Sequence, residues 1–160
     1  MAESGATTFL SWTNFERGIR INYPAGWTYQ EQSAAAGWMV GFLSPPEDEN
    51  DRFSENVNLY VEPLPAGLGT EMYVQGCLQA MKQAPFRFLE SAWCRVAGRR
   101  AYRHVYEGPL NTPIPLSGRY LQYFLVEHAQ GYVVTYTAEL QKFDRYLAAA
   151  EQMIASLEIR

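Results

Sequence analysis

Apolar and polar residues alternate along most of this chain, which is the period of β-strands whose two faces meet different surroundings. The clearest run extends from Asn56 to Glu62, where Val57, Leu59 and Val61 occupy every second position. Glycine and proline interrupt the alternation and mark turns. The strands predicted in this way are 9–12, 18–23, 27–31, 37–43, 55–63, 86–96, 99–107, 118–128 and 132–138.

Two segments instead place their apolar residues at helical spacing. The segment 143–157 carries them at i, i+3, i+4, i+7, i+10, i+11 and i+14, which predicts an amphipathic helix with one buried stripe. The segment 71–84 has a shorter version of the same pattern and ends before Pro85. Thr70 is the expected N-cap residue of this second helix.

The order of these elements is strands, a helix, a run of strands and a final helix. Such an order is typical of α+β proteins, whose helices are segregated on an antiparallel sheet. We therefore predict an α+β fold, an α-β-α sandwich with a mainly antiparallel central sheet. The strand 118–128 is apolar on both faces, which places it inside that sheet and covered on both sides. One domain is expected over residues 1–160, with an ordered core of about 9–159.

Charge and hydropathy exclude several classes of partner. The chain has 13 basic and 17 acidic residues, a net charge of −4, and its basic residues are scattered rather than gathered in a stripe. This pattern argues against a nucleic-acid partner. No apolar run approaches the roughly 20 residues of a membrane-spanning helix, so no integral membrane segment is predicted. The segment Met1–Thr8 lacks the basic and apolar regions of a signal peptide, which indicates a cytoplasmic protein as the chain stands.

An acidic segment joins two of the predicted strands. Its carboxylates belong to Glu47, Asp48, Glu49, Asp51 and Glu55. Carboxylate oxygens are the ligands that Ca²⁺ prefers, and Asp48, Asp51 and Glu55 are the candidate ligands of such a site. The alternative is a solvated acidic loop that binds no metal. The sequence indicates no other cofactor.

Two further features are candidates for binding a protein partner. The connection 108–117 carries Leu110, Ile114 and Leu116 among three prolines, and a proline-stiffened loop with exposed apolar residues suits a partner surface. In the alternative, these side chains fold back over the core. Asn56 and Asn58 share one face of their strand, where they either satisfy backbone groups at the sheet edge or contribute to binding.

The sequence contains no motif of a common enzyme class. It has no GxSxG, no P-loop and no GxGxxG. His104 and His128 are the only histidines, too few for a zinc site by themselves, and each is expected to be hydrogen-bonded or at the surface. Cys77 and Cys94 are expected to be reduced thiols rather than a disulfide. A non-enzymatic protein is therefore predicted.

Three short motifs resemble the PsbP family, which comprises extrinsic oxygen-evolving proteins of photosystem II and their relatives. They are YPAGW at 23–27, DRFSENVNLYVEPLP at 51–65 and TYTA at 135–138. Asn56 and Asn58 lie in the ENVN portion of the second motif, which resembles a signature of PsbP-like domains. The resemblance extends from Trp12 to Ile159 and implies an α-β-α sandwich, the same fold that the pattern predicts.

The resemblance implies a function as well as a fold. The first expectation is a non-enzymatic PsbP-like module for protein binding or assembly, associated with photosystem II. The alternative is a soluble bacterial adaptor or chaperone that binds an apolar peptide of a partner protein. Either module would act as a monomer or a homodimer. A thylakoid-lumen location is the alternative to the cytoplasm if a targeting segment has been removed. Fold alone does not choose between these functions.

Overall fold

The computed structural model describes residues 7–34 and 37–160, which form ten strands and two helices. Most of the segment Met1–Thr8, which was predicted not to be a signal peptide, lies outside the described residues. The elements in chain order are β1 (Phe9–Asn14), β2 (Ile19–Pro24), β3 (Thr28–Ala34), β4 (Gly37–Leu43), β5 (Asn56–Pro63), α1 (Thr70–Met81), β6 (Arg87–Val96), β7 (Arg99–Pro109), β8 (Ser117–Glu127), β9 (Gln130–Glu139), α2 (Phe143–Ala155) and β10 (Glu158–Ile159). No helix in this part of the chain is long and apolar enough to cross a membrane.

The strands form two sheets in which each pairing is antiparallel. The large sheet has seven strands in the order β3-β4-β5-β9-β8-β7-β6, and the small sheet has the order β1-β2-β10. This arrangement confirms the predicted α+β class with its mainly antiparallel sheet. Strand β8 lies inside the large sheet, between β9 and β7, as the apolar character of both its faces predicted.

The two faces of the large sheet are covered to different extents. On the first face, α2 and the small sheet bury the principal core, which includes Phe42, Leu59 and Tyr136. On the second face, α1 packs over β7 and β8, with Tyr73 and Val74 against Phe124. The second face of β3, β4 and β5 remains open to solvent and carries a hollow of about 220 Å³. We call this area the uncovered face.

The ends of the first helix differ from the prediction. Gly69, rather than Thr70, is the N-cap residue, because its backbone is extended and the helix begins at Thr70. The Thr70 hydroxyl instead accepts a hydrogen bond from the backbone N–H of Val126 at 3.2 Å. Helix α1 ends at Met81, before the predicted position 84. The Lys82 N–H still bonds four residues back to Leu78, whereas the N–H groups of Gln83 and Ala84 bond three residues back, as in the tight last turn of a helix.

Strand β10 is absent from the predicted elements. It has only two residues and pairs with β2 directly after α2 ends. Two residues are too few to show an alternating pattern, so the sequence could not predict this strand. It forms through its antiparallel pairing with β2. It completes the small sheet and brings the segment after α2 next to the β1–β2 turn.

Candidate functional site

Three carboxylates meet at the end of the sheet where β5 begins. Oxygens of Glu47, Asp51 and Glu55 lie within 4.8 Å of one another. Asp48, a predicted ligand, lies outside this group: it is exposed, and its Oδ1 accepts the backbone N–H of Asn50 at 2.7 Å. The structure thus brings together two of the three predicted ligands and replaces the third by Glu47. We call Glu47, Asp51 and Glu55 the carboxylate cluster.

A lysine from the start of the last helix already supplies a positive charge to this cluster. The Lys142 Nζ atom lies 3.2 Å from Asp51 Oδ1, 3.6 Å from Glu47 Oε2 and 3.0 Å from Glu139 Oε2. Burial favours a raised pKa for Asp51, but hydrogen bonds from the Glu47 and Phe53 N–H groups and from Lys142 outweigh it and lower the pKa. The neighbouring carboxylates likewise outweigh desolvation and raise the pKa of Lys142. The ammonium and the Asp51 carboxylate therefore stay charged together.

Glu47 extends the same network along the surface of α2. Its Oε1 accepts the Tyr146 hydroxyl at 2.7 Å, and its Oε2 accepts the Arg145 guanidinium at 2.9 Å. Together with Lys142 these bonds fix the acidic loop to the first turns of α2. A loop that the sequence portrays as either solvated or metal-binding is instead held by side chains that lie almost a hundred residues away.

Glu55 is the one fully buried member of the cluster. Its Oε2 accepts the backbone N–H of Glu139 at 3.0 Å, while its Oε1 has no partner among the described residues. Burial is the main cause of the raised pKa of Glu55. The hydroxyl of Ser44, the residue opposite Glu55 across the strand pair, also has no partner. Glu55 and Asp51 therefore have pKa values shifted in opposite directions within one cluster.

The position of Lys142 determines what we expect of Ca²⁺. Roughly millimolar Ca²⁺ should leave the Tm of the unaltered protein within about 1 °C, because the ion must displace a paired ammonium group. Lys142→Gln removes that competitor, and the same Ca²⁺ should then raise the Tm by about 2–4 °C. Differential scanning calorimetry measures both, with Mg²⁺ as the control ion. A clear rise in the unaltered protein would instead support the Ca²⁺ site predicted from the sequence.

The proline-rich connection between β7 and β8 is partly folded back on the sheet. Leu110 is only 7% exposed, and a Cβ atom at Gly118 would lie 2.3 Å from its Cδ2. The Leu110 N–H donates to the Leu116 carbonyl at 2.9 Å and closes the loop. Leu110 therefore fills a packing position, as in the alternative considered for this loop. Ile114 is 42% exposed and Leu116 half-buried, so these two side chains face outward.

The proline-rich loop and the acidic loop meet. Between them lies a groove of about 210 Å³, whose lining we call the loop-end groove: Arg52, Thr112, Pro113, Ile114 and Leu116. Two candidates that are sixty residues apart in the sequence thus become one surface. Arg52 was not singled out from the sequence, although it is the one basic residue inside an acidic segment.

Asn56 and Asn58 lie on the uncovered face, close to the same end of the sheet. Asn56 Nδ2 donates to the Ser54 carbonyl at 3.0 Å, and Asn58 Nδ2 donates to Asn56 Oδ1 at 3.0 Å. The predicted backbone-satisfying role is thus filled by Asn56. Both side chains also line the hollow of this face, together with Gln30, Gln32, Met39, Gly41 and Leu43. The hollow is therefore rich in neutral amides.

A row of neutral polar side chains crosses four adjacent strands from this hollow. The strand register aligns His104 with Gln122, Gln122 with Thr135 and Thr135 with Asn58. Gln122 Nε2 donates to Thr135 Oγ1 at 2.9 Å, but Gln122 Oε1 and both nitrogens of His104 have no partner among the described residues. His104 is 2% exposed beneath Phe88, and burial lowers its pKa. His104 is therefore buried, and the expectation that it lies at the surface is wrong.

The other residues weighed as reactive agree with the sequence interpretation. Cys77 and Cys94 are free and half-buried, and burial raises the pKa of both thiols, which keeps them protonated and weakly nucleophilic. His128 is exposed, at the turn between β8 and β9, as predicted.

Comparison with known proteins gives structural relatives but no sequence relatives. No protein-family model matches the chain, and no curated protein does. The solved structure of cyanobacterial PsbP (CyanoP) from Synechocystis sp. PCC 6803 matches with a TM-score of 0.65 at 12% identity, over 100% of this chain and 97% of CyanoP. PA94 from Pseudomonas aeruginosa, of unknown function and called a putative regulator, gives 0.67 at 13% identity over 95% and 97%.

A third structure extends the comparison. LpqN, involved in cell envelope biogenesis of Mycobacterium tuberculosis, matches with a TM-score of 0.64 at 14% identity, over 98% of this chain and 87% of LpqN. The TM-scores establish a shared fold, whereas identities this low leave function open. The fold inferred from the motifs around Trp27, Asn56 and Tyr136 is confirmed by these three structures: the chain has the PsbP-like fold.

Proposed function

We propose that this chain is a non-enzymatic module for protein binding or assembly, and that its partner contacts the loop-end groove and the adjoining amides of the uncovered face. The observation that carries the proposal is the exposed Ile114 beside Arg52 in a groove formed by two separate loops. Asn56 and Asn58 continue the surface onto the sheet.

The composition and rigidity of this groove suit an interface. Arginine is enriched among the residues that dominate binding energy at protein interfaces, and the apolar side chains beside Arg52 supply area that a partner can bury. Pro113 and Pro115 restrict one loop, and the contacts of Glu47 and Lys142 hold the other. A surface that is ordered before binding loses less conformational entropy when the partner docks.

The two surfaces favour different parts of a partner. The hollow of the uncovered face is lined mostly by neutral amides, so it suits a polar segment. The loop-end groove offers Ile114 and Leu116, which suit an apolar side chain. An adaptor that binds an apolar peptide would therefore use the groove rather than the sheet. Association with photosystem II is supported by the likeness to CyanoP and by the PsbP-like motifs.

The proposal is tested by a double substitution in the groove, Arg52→Ser with Ile114→Ser. Both side chains lie at the surface, so the variant should keep its Tm within about 2 °C. When partners are captured by cross-linking in cells that encode the protein, the variant should recover at least about tenfold less partner than the unaltered protein does. Leu10→Ser is the matched control, because Leu10 is 46% exposed but lies on β1. Leu110 is left unchanged because it is buried.

The captured proteins then separate the two versions of the function. Photosystem II subunits would support association with that complex, whereas a single soluble protein would support the adaptor. If the groove variant and the unaltered protein recover the same proteins in equal amounts, the groove is not the binding surface.

A further inference from the structure

Among the described residues, the most exposed large apolar side chain lies at the other end of the molecule. Phe15, at the tip of the β1–β2 turn, is 89% exposed. The turn is fixed by two hydrogen bonds: Arg17 N–H donates to Asn14 Oδ1 at 2.9 Å, and Gly18 N–H donates to the Phe15 carbonyl at 3.3 Å. Gly18 adopts a φ of +68°, which glycine accepts without strain. The ring is thus held outward by an ordered turn.

Beside Phe15 lies a concave surface made of two hollows. One hollow of about 480 Å³ lies along the turn and β10, and a second of about 360 Å³ continues it toward the β8–β9 turn. The two hollows share Glu16, Arg17, Ile19 and Arg160. Arg20 and Glu158 also line the first hollow. We call the two hollows together the hairpin cleft.

Two of the three arginines that line this cleft are held by neutral neighbours. The guanidinium carbon of Arg17 lies 4.6 Å from the ring centroid of Trp38, and Arg20 Nε donates to Ser11 Oγ at 2.9 Å. Neither residue forms a salt bridge with the described part of the chain. Elsewhere, salt bridges to carboxylates engage Arg87, Arg99, Arg100, Arg103, Arg119 and Arg145.

The two acidic residues that line the cleft do not neutralise these arginines. Glu158 lies opposite Arg20 in the β2–β10 register, yet the two form no salt bridge, and Glu16 forms none with a described residue. The guanidinium groups of Arg17 and Arg20 are therefore positioned but keep their charge available. A guanidinium in this state is suited to receive a carboxylate.

We propose that the hairpin cleft binds an acidic segment of a partner protein, with Phe15 inserted between apolar side chains of that segment. The arginines select carboxylates, and an exposed aromatic ring beside arginine is the combination that anchors protein interfaces. The two hollows, of about 480 and 360 Å³, share four lining residues and suit several residues of a peptide rather than one small anion. The net charge of −4 and the scattered basic residues disfavour nucleic acid.

This surface is separate from the loop-end groove. The hairpin cleft reaches Val61 and Gln130, at the end of β5 and the start of β9. The loop-end groove lies beyond the opposite ends of those strands, where Asn56 pairs with Thr137. One molecule thus presents two binding surfaces at opposite ends of its sheet, an arrangement that would let it hold two partners together.

The test is selection of random peptides displayed on phage against the immobilised, unaltered protein. We expect enriched peptides that combine Asp or Glu with an apolar residue. A labelled copy of the best peptide is then tested by fluorescence polarisation against two variants, the single Phe15→Ser and the double Arg17→Gln, Arg20→Gln. Each should bind the peptide at least about tenfold more weakly than the unaltered protein does. Leu10→Ser, on the same hairpin, should bind as the unaltered protein does. Binding should also weaken as salt is raised from about 0.05 to 0.5 M.

Three results would overturn the inference. They are the absence of any enriched peptide, enriched peptides without acidic residues, and binding of the peptide by the Phe15 and arginine variants as tight as binding by the unaltered protein. All variants change exposed or surface-lining residues, and unfolding curves of each confirm that the fold is kept. The Arg52→Ser, Ile114→Ser variant should bind the acidic peptide normally. Failure of the loop-end groove and failure of the hairpin cleft are therefore observed separately.

Discussion

Replacing Lys142 by methionine is expected to lower the free energy of unfolding by about 2–3 kcal/mol. The substitution leaves Asp51, whose side chain is 2% exposed, beside Glu47 and Glu139 without a counter-charge. Removing one partner of a buried ion pair costs about 3–5 kcal/mol. Because the Lys142 side chain is 24% exposed, water screens part of the interaction and the expected loss falls below that range.

Urea unfolding of the two proteins at pH 7 measures this loss. Lys82→Met is the matched control, because Lys82 follows α1, is exposed and forms no salt bridge with a described residue. The control should change stability by less than about 0.5 kcal/mol. A similar small change for Lys142→Met would mean that the three carboxylates relax into water and that the lysine does not hold the acidic loop.

Lys142 also connects stability to the proposed function. The acidic loop carries Arg52, which forms one side of the loop-end groove. Without Lys142, only the Arg145 and Tyr146 bonds to Glu47 would hold this loop to α2. Lys142→Met should therefore weaken partner capture more than its effect on global stability explains, since the partner would have to order the loop at the moment of binding.

The strands were predictable from the sequence because their signals are local. Alternation at Val57, Leu59 and Val61 defines both β5 and the face that it buries. The two-sided apolar character of β8 similarly gives its interior place. In each case the residues of one strand are sufficient for the prediction, since the alternation of side chains and the choice of buried face can be seen in consecutive residues.

The candidate site was less predictable because it depends on contacts between distant segments. The motif around Asp51 suggested a metal, but whether Lys142 fills the cluster depends on how α2 packs beside a loop ninety-one residues earlier. Leu110 and Ile114 look alike in the sequence, and only the position of Gly118 beneath Leu110 separates a packed side chain from an exposed one. The sequence therefore identifies candidate site residues, but their roles depend on tertiary packing.

The hairpin cleft was missed for the same reason. The predicted strands end at Trp12 and resume at Gly18, so Phe15 falls in the predicted turn around Asn14 and is not among the predicted binding residues. A phenylalanine between Asn14 and Glu16 in a short turn is itself a signal, because large apolar residues are uncommon in polar turns. The first hollow, which Arg20 also lines, depends on β10, and no local sequence pattern predicts this two-residue strand.

Glu55 should respond to substitution in two opposite ways, depending on the replacement. Glu55→Ala is expected to lower the free energy of unfolding by about 2–3 kcal/mol, because the Glu139 N–H loses its acceptor and a buried cavity remains. Glu55→Gln keeps an oxygen for that N–H and places an amide where Oε1 lacks a partner. It removes a buried charge, so it should raise stability at pH 7 by roughly 1 kcal/mol.

The pH dependence follows from the raised pKa of Glu55. A carboxyl group whose pKa is higher in the folded than in the unfolded state stabilises the fold below its unfolded value of 4.5, and that contribution is lost as the pH rises through the folded value. Asp51 has a lowered pKa, so its contribution is present above its ordinary value of 3.8 and is lost as the pH falls through the folded value. The two groups therefore act in opposite directions.

Urea unfolding at pH values from about 2.5 to 8 separates these contributions, because the Asp51 window lies below pH 3.8 and the Glu55 window above pH 4.5. Glu55→Gln should remove the decline in stability just above pH 4.5 and gain most at neutral pH. Asp51→Asn should instead lose about 2 kcal/mol at neutral pH, since the amide no longer pairs with Lys142. A loss of stability in Glu55→Gln as large as in Glu55→Ala would show that the Glu55 charge is itself stabilised by Lys142. The cluster would then be a set of equivalent ion pairs rather than one buried acid beside a charged pair.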